Sequence, residues 1–274
     1  MKINGQEYTL NQCTVVRYEE EFGHSYAIDG EPVAGVTTLL SMGTPPDAGL
    51  LEYFKRTDKD DQEIILADAN ERGTNVHKAI EDLLLGLPVR SDGFKRTREK
   101  KGIAAFVDFF EKTTPTDVVT EQVVAYKKAD IKFAGTLDFL GTINGKRLLI
   151  DFKTSTVPSI KHSLQVQAYK SAIEQSTKEK IDDCYVLYLG TSNKGARVSR
   201  DDNDLPTSGF GWRLIKSDHT FLDFGLAYRM ALLMNNGKYP SPPQVEAYPE
   251  EWKLLKKEAK NVREKVHEAV PASR

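Results

Sequence analysis

Cysteine is scarce in this chain: 274 residues hold two, Cys13 and Cys184, far apart in sequence. That excludes a disulfide framework, a four-cysteine zinc site and a four-cysteine iron–sulfur cluster, and it points to a reducing compartment. Long hydrophobic runs are missing too. No uninterrupted apolar stretch approaches the roughly 20 residues that cross a bilayer, so no membrane association is expected. The opening residues, Met1-Lys2-Ile3-Asn4-Gly5-Gln6-Glu7, lack both the basic-then-apolar layout of a secretory signal and the Arg-rich, acid-poor look of a transit peptide. A cytoplasmic location is the expectation. Charge of one sign is lacking as well, with 38 Lys+Arg against 40 Asp+Glu and a formal net of -2. Net charge therefore does not announce a nucleic-acid binder, although a near-neutral total can conceal a basic groove beside an acidic metal site.

What is present is an ordinary globular mixture, 39% hydrophobic and 28% charged, long enough for one large domain or two small ones. Residues 6–42 read as short strands and turns, with Asp29-Gly30 as a turn signal and Val33–Leu40 following as an apolar run. The spacing of Ile64, Ile65, Val76, Ala79, Ile80, Leu83 and Leu84 predicts a long helix over about 60–86, stopped by Gly86 and Pro88. Ile103, Phe106, Val107 and Phe110 give a second helix near 96–112. The middle is β-rich: a strand near 118–126, two strands around Asn144-Gly145, a helix near 160–176 and a strand at 184–189. Residues 191–209 read as a loop, and Asp218 as the cap of a helix that ends at Gly237. Tyr239-Pro240-Ser241-Pro242-Pro243 is a stiff connector to a last helix over about 249–268. The expected division is an N-terminal β-rich segment over 1–58, a core over 59–238, and a connector with C-terminal helix over 239–274.

The most informative stretch runs from Ala134 to Lys153. Asn144-Gly145 between two apolar runs is a strong hairpin signal, because a two-residue type I′ turn needs φ > 0 twice. With those two residues as the loop, Ile143 pairs with Lys146 and, counting outward, Asp138 falls opposite Asp151. Their Cβ atoms should then lie about 4.5–5.5 Å apart on one face, with Lys153 on that face too. Taken alone, Asp151-Phe152-Lys153 is as well read as an ion pair on an exposed sheet. Two facing carboxylates in so apolar a hairpin repel, however, and a hard divalent cation with oxygen ligands relieves that repulsion. A lysine beside it can orient a water or neutralise charge developing on a phosphate.

Gly135-Thr136-Leu137-Asp138, the hairpin, and Ile150-Asp151-Phe152-Lys153 resemble the core of the PD-(D/E)XK nucleases. The likeness is to the RecB-like exonuclease branch, which takes in phage exonucleases, the CRISPR-associated adaptation nucleases and the mitochondrial genome maintenance exonuclease. Arg72-Gly73-Thr74-Asn75-Val76-His77-Lys78-Ala79-Ile80-Glu81 resembles that branch's upstream helix, and Gln165-Val166-Gln167-Ala168-Tyr169 its downstream Gln-x-x-x-Tyr helix. Leu137 stands where many members have proline, and Asp151 where many have Glu. The resemblance implies an α/β restriction-endonuclease-like core, a central mixed β-sheet flanked by helices, with N- and C-terminal additions.

It also implies a hydrolase of DNA phosphodiester bonds, an exonuclease acting on ends or single strands in replication, repair or recombination. A structure-specific endonuclease and a non-catalytic nucleic-acid-binding protein are the alternatives. Asp138, Asp151 and Lys153 are then the catalytic residues, and His77, Asp138 and Asp151 the ligands of Mg²⁺ or Mn²⁺, with no iron–sulfur cluster. Gln165, Tyr169, Thr154 and Arg72 face the substrate, with Glu81 and Glu121 as supporting acids. DNA is the expected partner, together with a replication or recombination protein. Two basic runs could line its path, one of Lys95, Arg96, Arg98, Lys100 and Lys101 and one of Lys127, Lys128 and Lys132. Phe94, Phe133 and Tyr53 are candidates to stack on bases.

Overall fold

The structure, a computed structural model, describes residues 5–10, 13–20, 23–46, 48–190 and 199–238. Four short strands open the chain: β1 (Gly5–Leu10), β2 (Cys13–Glu20), β3 (Gly23–Ile28) and β4 (Glu31–Val33). They form an antiparallel meander in the order β1-β2-β3-β4. The turn into β4 uses Asp29 and Gly30 at φ 51 and 81, as the dipeptide predicts.

The apolar run that follows departs from expectation. Instead of extending as a strand, it folds from Val36 into helix α1 (Val36–Gly43), because Val36, Leu39 and Leu40 lie at i, i+3, i+4 and bury together. Packing overrides the β preference of Val36, Thr37 and Thr38. After α2 (Ala48–Lys55) come α3 (Lys59–Leu84) and α4 (Thr97–Thr113), within a residue or two of the bounds read from periodicity.

The second sheet holds β5 (Thr116–Lys128), β6 (Ile131–Ile143), β7 (Lys146–Lys153), β8 (Asp183–Leu189), β9 (Ser208–Gly209) and β10 (Trp212–Lys216). Its order is β5-β6-β7-β8-β10-β9. Helix α5 (Ile160–Thr177) carries the chain from β7 to β8, which run parallel, while the other pairs are antiparallel. Strands β9 and β10 lie in and just beyond the stretch read as loop. Trp212 anchors β10, fully buried and donating from Nε1 to Asp108 at 2.7 Å.

Helix α6 (Phe221–Met234) starts at Thr220 rather than Asp218: the Asp223 carboxylate accepts from Thr220 N at 2.7 Å, closing the first turn. Helices α1, α5 and α6 cover one face of the sheet around Phe133, Leu137, Leu149 and Val186. Helices α3 and α4 cover the other, around Phe139, Ile150, Phe152 and Leu187. This is the central mixed sheet with flanking helices of the expected α/β class. The N-terminal meander packs on β5 and β6 through Val15, Tyr26, Ile28, Val123 and Ala134. The connector and final helix expected over 239–274 lie outside the described residues. Among those described, no helix is long and apolar enough to cross a membrane.

Candidate active site

The hairpin turn sets the geometry. Asn144 and Gly145 stand at φ 50 and 73, and the ladder runs from Ile143↔Lys146 to Phe139↔Ile150, the register read from the turn. One pair short of Asp138 and Asp151, the strands part. From there β7 keeps β8 as its partner through Lys153↔Tyr188, whereas β6 keeps β5. Asp138 and Asp151 are therefore not a ladder pair but the two lips of a fork. Parting leaves the Phe152 N–H without a strand acceptor, and Asp138 Oδ2 takes it at 2.7 Å.

Three elements aim at this fork. From α3, His77 Nδ1 lies 3.3 Å from Asp138 Oδ1, with the imidazole against the Phe152 ring. From β5 comes Glu121, in register with Asp138 between the pairs Thr120↔Phe139 and Gln122↔Leu137. His77, Glu121 and Asp138 each offer a ligand atom within 4.8 Å of the others. From β7, Asp151 is 1% exposed and its Oδ2 lies 2.6 Å from Lys153 Nζ. Asp151 is not one of the three atoms gathered within that radius.

Electrostatics shows what the fork is short of. Burial, then the charge of Asp138, pushes the Glu121 carboxyl up to about 7. Burial also raises Asp151 to about 6, with Asp138 adding to the shift and Lys153 opposing it. Burial would raise Asp138 as well, but His77, Lys153 and the Phe152 N–H outweigh it and hold that carboxyl below its ordinary value. The same pairing holds the His77 imidazole above its ordinary value against the pull of burial. Two acids driven toward neutrality beside a third that stays ionised make a site deficient in positive charge. An imidazole and carboxylates converging there suit a divalent cation held by N and O donors.

The remaining expected residues fall in two places. Arg72 and Thr154 line a cavity of about 540 Å³ together with Arg98, Lys101, Ser155 and Thr156. It opens beside the end of β7, one residue past Lys153. Gln165 and Tyr169 lie on α5, both buried, with Gln165 Nε2 donating to Tyr169 OH at 3.1 Å. The Tyr169 ring covers Gly135 so closely that a Cβ there would meet it at 2.6 Å, which accounts for a glycine at that strand position. Glu81 is tied up with Lys78 at 2.9 Å, and its charge adds to the upward push on Glu121.

Each basic run gives up part of its cations to acids of the fold, while Arg98 and Lys101 line the cavity beside β7. Arg96 is held by Asp68, Glu71 and Glu99 at 2.9, 2.6 and 3.1 Å, which locks α4 to α3. Lys127 and Lys132 pair with Asp29 and Glu31 at 2.6 and 2.7 Å, fastening the N-terminal meander. Phe133 is fully buried against Tyr126 and Phe224, which removes it from the base-stacking candidates. Sequence reading missed Arg17 altogether: from β2 it donates to Thr136 Oγ1 at 3.2 Å, at the edge of the fork. No local pattern marks it, because the contact spans 119 positions.

The sequence pattern of the PD-(D/E)XK nuclease superfamily matches residues 48–273. Among solved structures, the chain is similar to SSO0001, at 16% identity over 81% of this chain and 80% of that one, with a TM-score of 0.41. It is also similar to a protein from Eubacterium rectale described as a candidate exonuclease, at 12% identity over 81% and 91% of the two chains, with a TM-score of 0.41. Curated proteins offer no match. The family pattern spans most of the chain, from α2 through the forked hairpin and beyond, and the chain belongs to the PD-(D/E)XK nuclease superfamily.

Proposed function

We propose that the protein is a Mg²⁺- or Mn²⁺-dependent deoxyribonuclease that works from DNA ends. The observation that carries the reading is the fork, where His77, Glu121 and Asp138 converge within 4.8 Å beside the Asp151–Lys153 pair. In this reading His77, Asp138 and Asp151 hold the cation, and Glu121 joins them as a further ligand. A bound divalent cation supplies Lewis-acid stabilisation of charge on the phosphoryl oxygens. Asp138 is kept in place by the Phe152 N–H and His77. Lys153 Nζ, steadied by Asp151, orients a water in line with the scissile phosphorus and neutralises developing charge. Arg72, Thr154, Arg98 and Lys101 grip the neighbouring phosphates along the adjoining cavity. Gln165 and Tyr169 shape the floor under Gly135. The preference for ends rests on the likeness of these motifs to the RecB-like branch, and the setting would be replication, repair or recombination.

End-labelled single- and double-stranded DNA, incubated with Mg²⁺, Mn²⁺ or EDTA, tests the reading against a covalently closed plasmid. Stepwise shortening of the linear substrates in metal alone, with the plasmid intact, is the expected result. Asp138→Asn and Lys153→Ala should abolish cleavage while DNA affinity in EDTA stays within about twofold, since phosphate grip lies elsewhere. Cutting of the closed plasmid would make the enzyme an endonuclease. Wild-type turnover in both variants would overturn the site.

A further inference from the structure

We propose that Arg17, on a strand outside the residues that match the family, is a positioning residue for the Glu121 carboxylate. The inference rests on the reading of Glu121 as part of the cation site. Arg17 and Tyr26 are ladder partners on β2 and β3, and both side chains end on one hydroxyl. Arg17 Nη1 donates to Thr136 Oγ1 at 3.2 Å, and Tyr26 OH meets the same oxygen at 3.0 Å. Thr136 precedes Asp138 by two positions on β6 and pairs with Val123, itself two positions after Glu121. The guanidinium thus stands over the β5–β6 edge of the fork, and the same Nη1 lies 3.9 Å from Glu121 Oε2.

The guanidinium is itself held from behind. Its Nη2 meets His24 Nε2 at 2.9 Å and its Nε meets Glu19 at 3.0 Å, and the side chain is only 13% exposed. Lysine could not reproduce this, because a single ammonium cannot span Thr136, His24 and Glu121 as a planar fork does. Glu121 needs such a neighbour. Its backbone is strained at φ 50, and Asp138, with a carboxylate oxygen within 4.8 Å, repels it. Among the described residues, the ion pair of Glu121 is the one with Arg17. The N-terminal meander therefore completes the edge of the active site as well as packing on the core. Its own fastening, through Lys127–Asp29 and Lys132–Glu31, lies apart from Arg17 and can be cut separately.

The test is calorimetric titration of Mn²⁺ into the metal-free, full-length protein without DNA, alongside steady-state cleavage and thermal melting. Arg17→Gln should weaken Mn²⁺ binding about tenfold, the size usual for groups that orient metal ligands. It should also lower kcat with KM for DNA little changed. Arg17→Lys should recover only part of the loss. In a Glu121→Gln background, Arg17→Gln should add less than about twofold, because the two act through one contact. Lys132→Ala should lower the melting temperature and leave Mn²⁺ affinity unchanged. Wild-type binding that Arg17→Gln leaves intact in folded protein overturns this inference alone, as does an undiminished loss in the Glu121→Gln background. Wild-type protein that binds no Mn²⁺ overturns the cation site and this inference with it.

Discussion

Glu121 holds a left-handed backbone conformation, φ 50, in the middle of a 13-residue strand. That conformation costs a non-glycine residue about 1–2 kcal/mol. The same residue half-buries a carboxyl beside Asp138, and the two penalties persist together only because the surrounding β5–β6 ladder over-determines the position. Such strain concentrates where function demands it. Glu121→Gly removes both penalties, so metal-free protein should gain about 1 kcal/mol in urea unfolding. The same variant should lose Mn²⁺ affinity and cleavage. A destabilised Glu121→Gly would show that the carboxylate stabilises the fold and would remove the strain argument. Gly135→Ala makes the complementary case: its Cβ would meet the Tyr169 ring at 2.6 Å, an overpacking of about 1–3 kcal/mol.

At the scale of elements, α4 divides its cations between two jobs. Arg96 turns inward, where Glu99, 1% exposed, also accepts from Asn75 of α3 at 2.8 Å. Arg98 and Lys101, three apart and on one helical face, line the cavity past β7 with Arg72. Under the proposed function the basic run is a lock and a grip interleaved, and mutation should separate them. Arg98→Ala with Lys101→Ala should flatten log affinity against log salt, by about 0.7 per charge on single strands and about 0.9 on duplex. Unrelated DNA sequences should lose affinity alike, since phosphate contacts carry no direct sequence information. Arg96→Ala should leave that slope unchanged and lower the melting temperature, because it leaves the buried Glu99 with one partner fewer. A flattened slope in Arg96→Ala would return Arg96 to the DNA path.

For the whole molecule, the fork links stability to pH with a definite sign. Glu121 is raised from 4.5 to about 7 and Asp151 from 3.8 to about 6, so the folded protein binds protons that the unfolded chain has released. Stability therefore falls as pH rises through that interval. His77, held above its ordinary 6.5, adds stability below that value and loses it as pH climbs through the folded pKa. All three shifts act in one direction. Metal-free protein should melt lower at pH 8 than at pH 5.5, and saturating Mn²⁺ should raise the melting temperature much more at pH 8, because it binds the deprotonated site. Asp138→Asn should shrink that metal-dependent difference. Equal melting temperatures with and without Mn²⁺ at pH 8 would show that the fork takes up no cation.

What the sequence by itself determined is local. Two residues forced to positive φ at Asn144-Gly145 dictate the hairpin register, and apolar periods of three and four draw α3, α4 and α5 within a residue or two of their ends. Those signals sit in neighbouring residues, so they survive without knowledge of the fold. The register was enough to put Asp138, Asp151 and Lys153 on one face, and His77 joined them through the resemblance of its helix to the nuclease family. Tertiary structure alone decided the rest. Where β7 loses β6 and keeps β8, the ladder ends one pair early and Asp138 turns to a backbone N–H rather than facing Asp151 across a rung. Glu121 owes its place beside His77 to the pairing of β5 with β6, and Arg17 reaches Thr136 across 119 positions. Val36 turned helical because its neighbours found a core to bury in, and Arg96 became a lock because acids of another helix lay within reach. Such outcomes depend on which elements meet, and a long-range meeting leaves no periodic trace in the chain.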